Sequence, residues 1–399
     1  MTLTTTRSKT LVDPLAQDHG VLTRRQVTWM SVAAGVSVAN VYYLQPLLRP
    51  LAASFAVADS RAGLLPMITM VGYALGLLLL VPVLELTGLR RLMRWLTAGR
   101  LVALVLASAA FDYGVFAGAS VLLGATSVLA QVLMPAAAAL AAPGATGRTT
   151  ARITAGLFGG IVGARVVAGA LAGALGWRSV YVLSAVLTVL IHWALRDLPE
   201  PPARRGLSYR SLLSSLLPLL RGERGLRRAA GAAALGFAAF NIFWTAVTLY
   251  VTGPAHRWST ADAGLLGLVG VVGTATVLVV GRHLDRGRYR PLAVGAALSM
   301  ALALAVAGIG GTSGVALIAG ALLLDSGARV SNVANQTHAL RQRPEARARL
   351  NTLYMTAYFA AGSAGSAAGA LLFAASGWTV TMLVAVALSA AGAVSALRR

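Results

Sequence analysis

RDLPEPPARRGLSYRSLLSSLLPLLRGERGLRR, residues 196–228, is the longest polar stretch in the chain. On either side of it, apolar runs of about 18 to 25 residues recur, each able to cross a hydrocarbon core of roughly 30 Å at about 1.5 Å per residue. Six runs precede it, near 27–48, 62–84, 95–112, 115–141, 153–175 and 179–195. Six follow, near 229–252, 262–281, 291–309, 315–337, 351–374 and 378–396. The runs are rich in Ala, Leu and Gly and lack the period-two alternation of barrel strands, so they read as helices. The polar stretch itself suits a linker, and its SLLSSLLPLL segment suits a short helix on a membrane surface.

Composition agrees. Of 399 residues 57% are hydrophobic and 12% charged, and the mean hydropathy of +0.74 lies far above that of a soluble domain. The net charge of +22 raises the question of nucleic acid, and the placement of the 34 basic residues answers it. With the N-terminus inside, 27 fall in inner segments; Arg49, Arg61, Arg178 and Arg257 fall outside, and Arg100, Arg165 and Arg329 lie within spans. This is the positive-inside asymmetry, which puts both termini in the cytoplasm and accounts for the charge without a nucleic-acid partner. The expected fold is an all-α membrane protein of twelve transmembrane helices in two pseudo-symmetric six-helix bundles. Its expected parts are a cytoplasmic tail over 1–26, a first bundle over 27–196, a cytoplasmic linker over 197–228 and a second bundle over 229–399. The tail, with Asp13, Asp18, His19, Arg24 and Arg25, lacks a cleavage site and reads as polar chain rather than a signal peptide.

The halves echo each other. GALGWRSVYVL at 173–183 is similar to AASGWTVTMLV at 374–384, and NVYYLQPL from Asn40 to NIFWTAVT from Asn241, both at an offset of 201 positions. A six-span unit repeated in parallel puts a solute cavity at the junction of the halves.

Four stretches in order then resemble one family. NVYYLQPLL at 40–48 resembles the first helix of twelve-span drug and metabolite efflux proteins in the major facilitator superfamily. ARVVAGALAGALGWRSVYVL at 164–183 resembles their fifth-helix segment, and residues 322–359 resemble their tenth and eleventh helices. GRHLDRGRYR at 281–290 resembles the superfamily's loop motif, with Gly281, Asp285, Arg286 and Arg288 in register. The resemblance implies that these residues, with Glu85, Arg90 and Arg91 in the corresponding first-half loop, control gating. The first-half loop departs from the pattern: Leu84 and Glu85-Leu86 stand where the family has Gly and Asp-Arg.

Two deep charges remain. In LLLDSGARVSNVANQ, residues 322–336, Asp325, Arg329, Asn332 and Gln336 fall within about 60° of arc at 100° per residue, a polar stripe on an apolar helix. A charge at mid-bilayer costs about 2.5–3.5 kcal/mol on insertion scales, so the stripe should face protein or a water-filled cavity. Asp325 and Arg329 read as a neutralising i,i+4 ion pair, as a proton-coupling site, or, for Asp325, as a site for a cationic group. Arg165, in a glycine-dense helix without proline, could bind an anionic group or pair with a carboxylate from another helix.

The helices that line the cavity in the resembled family supply further candidates: Asn40, Tyr43, Gln45, Gln131, Met134, Asn241, Trp244, Thr245, Tyr354 and Tyr358. Together with Arg165, Asn332 and Gln336 they describe a chamber of amides and aromatics for a small organic molecule. No phosphate-binding loop, metal cluster or catalytic triad is present in the sequence, and cysteine is absent, so an enzyme is not expected and no cofactor is implied. The expected partners are a small-molecule substrate, protons and the lipid bilayer of a cell inner (plasma) membrane, with the protein working as a monomer. The expected activity is proton-coupled secondary transport that exports a small organic compound, a drug or metabolite, by alternating access, with proton-coupled metabolite uptake and a non-transporting receptor or sensor of the same fold as the alternatives.

Overall fold

The structure is a computed structural model that describes residues 21–201 and 208–398, without the side chains at 278, 281, 282, 284, 285 and 344. Most of the expected tail therefore lies outside the described residues, as do six positions of the linker, and of Gly281 and Asp285 only the backbone is described.

Among the described residues the chain is helical, and the spans follow the apolar runs. Span 1 is a bent pair, Arg24–Tyr42 and Leu44–Ser54, turning by 43° within the NVYYLQPLL stretch. Spans 2 to 5 are Asp59–Thr87, Leu89–Ala109, Tyr113–Leu140 and Thr146–Leu175, and span 6 is the shorter apolar helix Arg178–Ala194. Span 7 is Arg224–Val251. Span 8 joins Thr260–Leu265, a 3-10 turn at Leu266–Leu268, and Val269–Asp285. Spans 9 and 10 are Tyr289–Ile309 and Gly314–Leu340. The helix Arg347–Leu397 contains a non-helical residue, Gly377, which divides it into spans 11 and 12.

The duplication is visible in the backbone. Gly176 and Gly377, 201 positions apart, both take positive φ, 83° and 72°, a conformation that costs a side chain little only in glycine. Each precedes a tryptophan that anchors an aromatic cluster: Trp177 meets Phe55, Phe116 and Tyr181, and Trp378 meets Phe243 and Tyr250. Packing repeats too. Span 1 lies on span 5 and span 2 on span 4, as span 7 lies on span 11 and span 8 on span 10. Lipid tails are as apolar as leucine, so close packing of small residues rather than burial from water must hold such helices together. Outward-facing Val102, Val105, Val182 and Leu302 remain exposed, as a lipid-facing surface requires.

The two lobes meet through span 5 against span 8 and span 2 against span 11. Near the loops around residues 49–61 and 252–260 the approach is close: a Cβ on Gly264 would lie 2.6 Å from the Arg165 carbonyl oxygen and 3.0 Å from the Gly169 Cα. Ser363 Oγ donates to the Met67 carbonyl, 3.2 Å away, across the second contact. At the opposite end a cavity of about 230 Å³ lies between the lobes, lined by Leu84, Glu85 and Pro135 from the first, Arg349 and Thr352 from the second, and Leu212 and Leu216 from the linker helices. The lobes are in close contact at one end, and at the other a cavity stands between them, bordered by the linker helices.

Candidate functional site

Span 8 reaches the seam through GLLGLVGVVG, residues 264–273, with glycine at every third position. A continuous α-helix would rotate such a series steadily off one face, but the 3-10 turn at Leu266–Leu268 has three residues per turn and slows that rotation. Gly267, Gly270 and Gly273 consequently all face charged side chains. A Cβ on Gly267 would lie 2.7 Å from the Arg165 Cβ, and one on Gly270 would lie 3.0 Å from Arg329 Nη2. At Gly273 the nearest atom to such a Cβ is Asp325 Oδ2.

Asp325 and Arg329 form a buried ion pair, with Nε donating to Oδ2 at 2.6 Å and side-chain exposures of 1% and 8%. The guanidinium carbon of Arg329 sits 4.6 Å from the centroid of the Phe158 ring, which comes from span 5 of the other lobe. The span-10 stripe continues beyond the pair. Gln336 Nε2 donates to Asn351 Oδ1 at 2.8 Å, and the Tyr354 hydroxyl donates to Asn332 Oδ1 at 3.0 Å, so span 11 is tied to the same face.

Arg165 is 1% exposed. Its Nε donates to Gln45 Oε1 at 2.5 Å, and its guanidinium carbon lies 4.1 Å from the Trp244 ring centroid and 5.2 Å from that of Tyr42. Neither Nη1 nor Nη2 has a hydrogen-bond acceptor among the described residues, and the same holds for the Trp244 indole Nε1. Four spans, two from each lobe, thus converge on one guanidinium.

Other expected residues are drawn elsewhere. Asn40 Oδ1 accepts from Ser184 Oγ at 2.8 Å, within the first lobe. Tyr43 is buried in the core, three residues along the helix from Asn40 and on the same side. Asn241 Nδ2 donates to the Phe237 carbonyl of its own helix at 2.8 Å. Thr245 and Ser366 join spans 7 and 11 through their hydroxyls, 2.8 Å apart. Gln131 is buried and Met134 half-buried in span 4. Tyr358 stacks on Phe237 at 3.8 Å between centroids and lies next to Tyr354.

In the gating loops, Glu85 lines the cavity and makes no ion pair among the described residues. Glu200 instead receives the backbone N–H groups of Leu89 and Arg90 at 2.8 and 2.9 Å, capping span 3, while Arg90 Nε donates to the Leu198 carbonyl. Arg91 lies over Trp95, and Arg286 and Arg288 are exposed.

Several contributors were not anticipated. Arg100 is fully buried, its Nη2 donating to Ser37 Oγ and the Thr126 carbonyl at 2.9 and 2.8 Å, and it ties spans 1, 3 and 4 together. Tyr42, Phe158 and Glu200 carried no distinguishing signal alone. The glycine triplet of span 8 did, as a period of three. No group of three or more potential metal ligands occurs among the described residues.

Residues 30–366 match the Major Facilitator Superfamily. The chain is 35% identical over 353 residues to the uncharacterized transporter YgaY of Escherichia coli O157:H7, covering 88% of this chain and 90% of that protein. It is 34% identical over 362 residues to the probable transporter SCO4007 of Streptomyces coelicolor, covering 90% and 84% respectively. Among solved structures, the D-xylose-proton symporter superposes with a TM-score of 0.75 at 15% identity, over 92% of this chain and 96% of that one. The human organic anion transporter MFSD10 superposes with a TM-score of 0.73 at 17% identity, over 94% and 99%. At such identities these structures establish a shared fold alone.

Proposed function

The chain belongs to the major facilitator superfamily, and on that footing we propose that it is a proton-coupled secondary transporter that exports a small organic compound by alternating access. The observation that carries this reading is the Asp325–Arg329 pair, buried on the seam against Phe158 of the opposite lobe. A buried ion pair contributes little net stability, because desolvation of both charges offsets their attraction. Breaking it by neutralising one partner is costly, so the seam responds strongly to a single proton.

The cycle follows from that response. With Asp325 ionised, Arg329 is held on span 10 and the lobes close at the Gly169–Gly264 end, whose loops are poor in basic residues and are therefore assigned to the outside. Solute enters from the cytoplasmic cavity. Bound solute carries the protein to the form open outward and leaves there. Asp325 then takes a proton from outside, so that Arg329 loses its counter-charge and the glycine-lined contact with span 8 loosens, which favours that form. The protonated protein returns to the form open inward and gives its proton to the cytoplasm, which restores the pair, so one proton enters for each solute exported.

Proteoliposomes with an imposed pH gradient test the coupling. Radiolabelled candidate solutes should accumulate against their own gradient through the wild type, and Asp325→Asn should retain exchange of solute for solute while losing gradient-driven accumulation. Undiminished accumulation in Asp325→Asn removes that residue from the coupling role.

A further inference from the structure

The Asp325–Arg329 pair balances its own charge, and Arg165 does not share in it through any hydrogen bond. One positive charge on the seam is therefore left over. Its hydrogen-bond inventory is equally one-sided. Arg165 Nη1 and Nη2 and Trp244 Nε1 are all donors, all buried, and all without an acceptor among the described residues. Arg and Trp side chains cannot accept hydrogen bonds, so these groups cannot satisfy one another. Buried donors of this kind are ordinarily satisfied, and a charged one left unsatisfied is costly.

The surroundings limit what can supply the acceptor. The guanidinium lies over the rings of Tyr42 and Trp244, 5.2 and 4.1 Å from their centroids, and the Arg165 backbone itself takes part in the Gly169–Gly264 closure. Gln45 already occupies Nε, which leaves the two terminal nitrogens as a planar fork. Such a fork matches the two oxygens of a carboxylate. With the ring faces covered by the guanidinium, the ring edges of Tyr42 and Trp244 are left to border a flat apolar body.

We propose that Arg165, with Trp244, is the anchor for the carboxylate of the transported solute, and that the solute class is monoanionic organic acids with an aromatic or flat apolar body. Nη1 and Nη2 each donate to one carboxylate oxygen, and Trp244 Nε1 supplies a third donor. A single negative charge neutralises the excess on the seam; a cation adds to it. This deepens the transporter reading and rests on it.

The test is binding to the purified full-length protein, read as a rise in apparent melting temperature. The probes are benzoate, phenylacetate, 3-phenylpropionate and indole-3-acetate, each against its neutral amide, with 2-phenylethylamine as the cation. At least one acid should stabilise the wild type where its amide and the amine do not. Arg165→Gln should weaken that acid by about tenfold or more, and Trp244→Phe, which keeps an aromatic ring of smaller size and removes the donor, by a few-fold. The wild-type comparison of acid with amide stands even if a variant misfolds. The proposal is overturned if no acid outperforms its amide, if the amine stabilises equally, or if the acid's effect survives unchanged in a folded Arg165→Gln. Counterflow of the same acid separates the two readings: selective binding without exchange defeats the transporter reading, and exchange of amide as readily as acid defeats the anion anchor.

Discussion

The guanidinium carbon of Arg165 lies 4.1 Å from the centre of the Trp244 ring, and this contact joins span 5 of the first lobe to span 7 of the second. The Asp325–Arg329 pair lies against the same two-lobe seam through Phe158. Charge, aromatic surface and glycine spacing thus meet at the junction of the lobes, where the proposed alternating access moves them.

Asp325→Asn should lower stability by about 3–5 kcal/mol, because Arg329 remains buried without its counter-charge. Asp325→Asn combined with Arg329→Gln should recover much of that loss. Melting temperatures in one detergent check the ordering, and a double variant less stable than the single one contradicts it.

Gly273→Ala should cost about 1–3 kcal/mol and impair coupling, since its Cβ would press on Asp325 Oδ2. Gly159→Ala, where a Cβ meets nothing within 4 Å, should leave both stability and transport near wild type. Equal tolerance at the two positions counts against a glycine-lined pair.

Gly169→Leu should hold the outer seam apart, because Gly169 faces the Thr260 carbonyl and the Gly264 Cα. The chain has no native cysteine, so a single one at Ala261 reports on the seam without background. Maleimide labelling there should be several-fold faster in Gly169→Leu than in the parent, and an unchanged rate argues against closure at this contact.

Glu200→Gln should lose about 1 kcal/mol through its weakened capping of Leu89 and Arg90, and Glu85→Gln should lose little. Thermal denaturation of the two variants side by side distinguishes them. A larger loss in Glu85→Gln would return the latch to that residue.

Much of the architecture was legible because membrane burial writes itself as length. An apolar run long enough to span has few alternative folds, and the 201-residue offset of Trp177 and Trp378 carried the duplication down to the shared positive φ of Gly176 and Gly377. The bend between Tyr42 and Leu44 was not anticipated, although Pro46, which cannot donate to the Tyr42 carbonyl, marks it.

The site was legible where helical arc decides. Asp325 and Arg329 share a face and are paired. On span 1 the same arithmetic separates Tyr42 and Gln45, which meet Arg165, from Asn40, which meets Ser184. Which of those faces met the other lobe depended on the partner helix, and no single helix contains that information. Arg100 was opaque for the same reason: its partners Ser37 and Thr126 lie on two other spans.

The central claim, that the protonation state of Asp325 sets which end of the seam is closed, can be measured without knowing the solute. Cysteine at Ala261 is labelled across a range of pH in proteoliposomes, with cysteine at the 81% exposed Phe111 correcting for the thiol's own titration. The corrected rate should rise on acidification in the parent and should stay at the acid value at every pH in Asp325→Asn. A pH response that persists undiminished in Asp325→Asn, or one absent from the parent, contradicts the account.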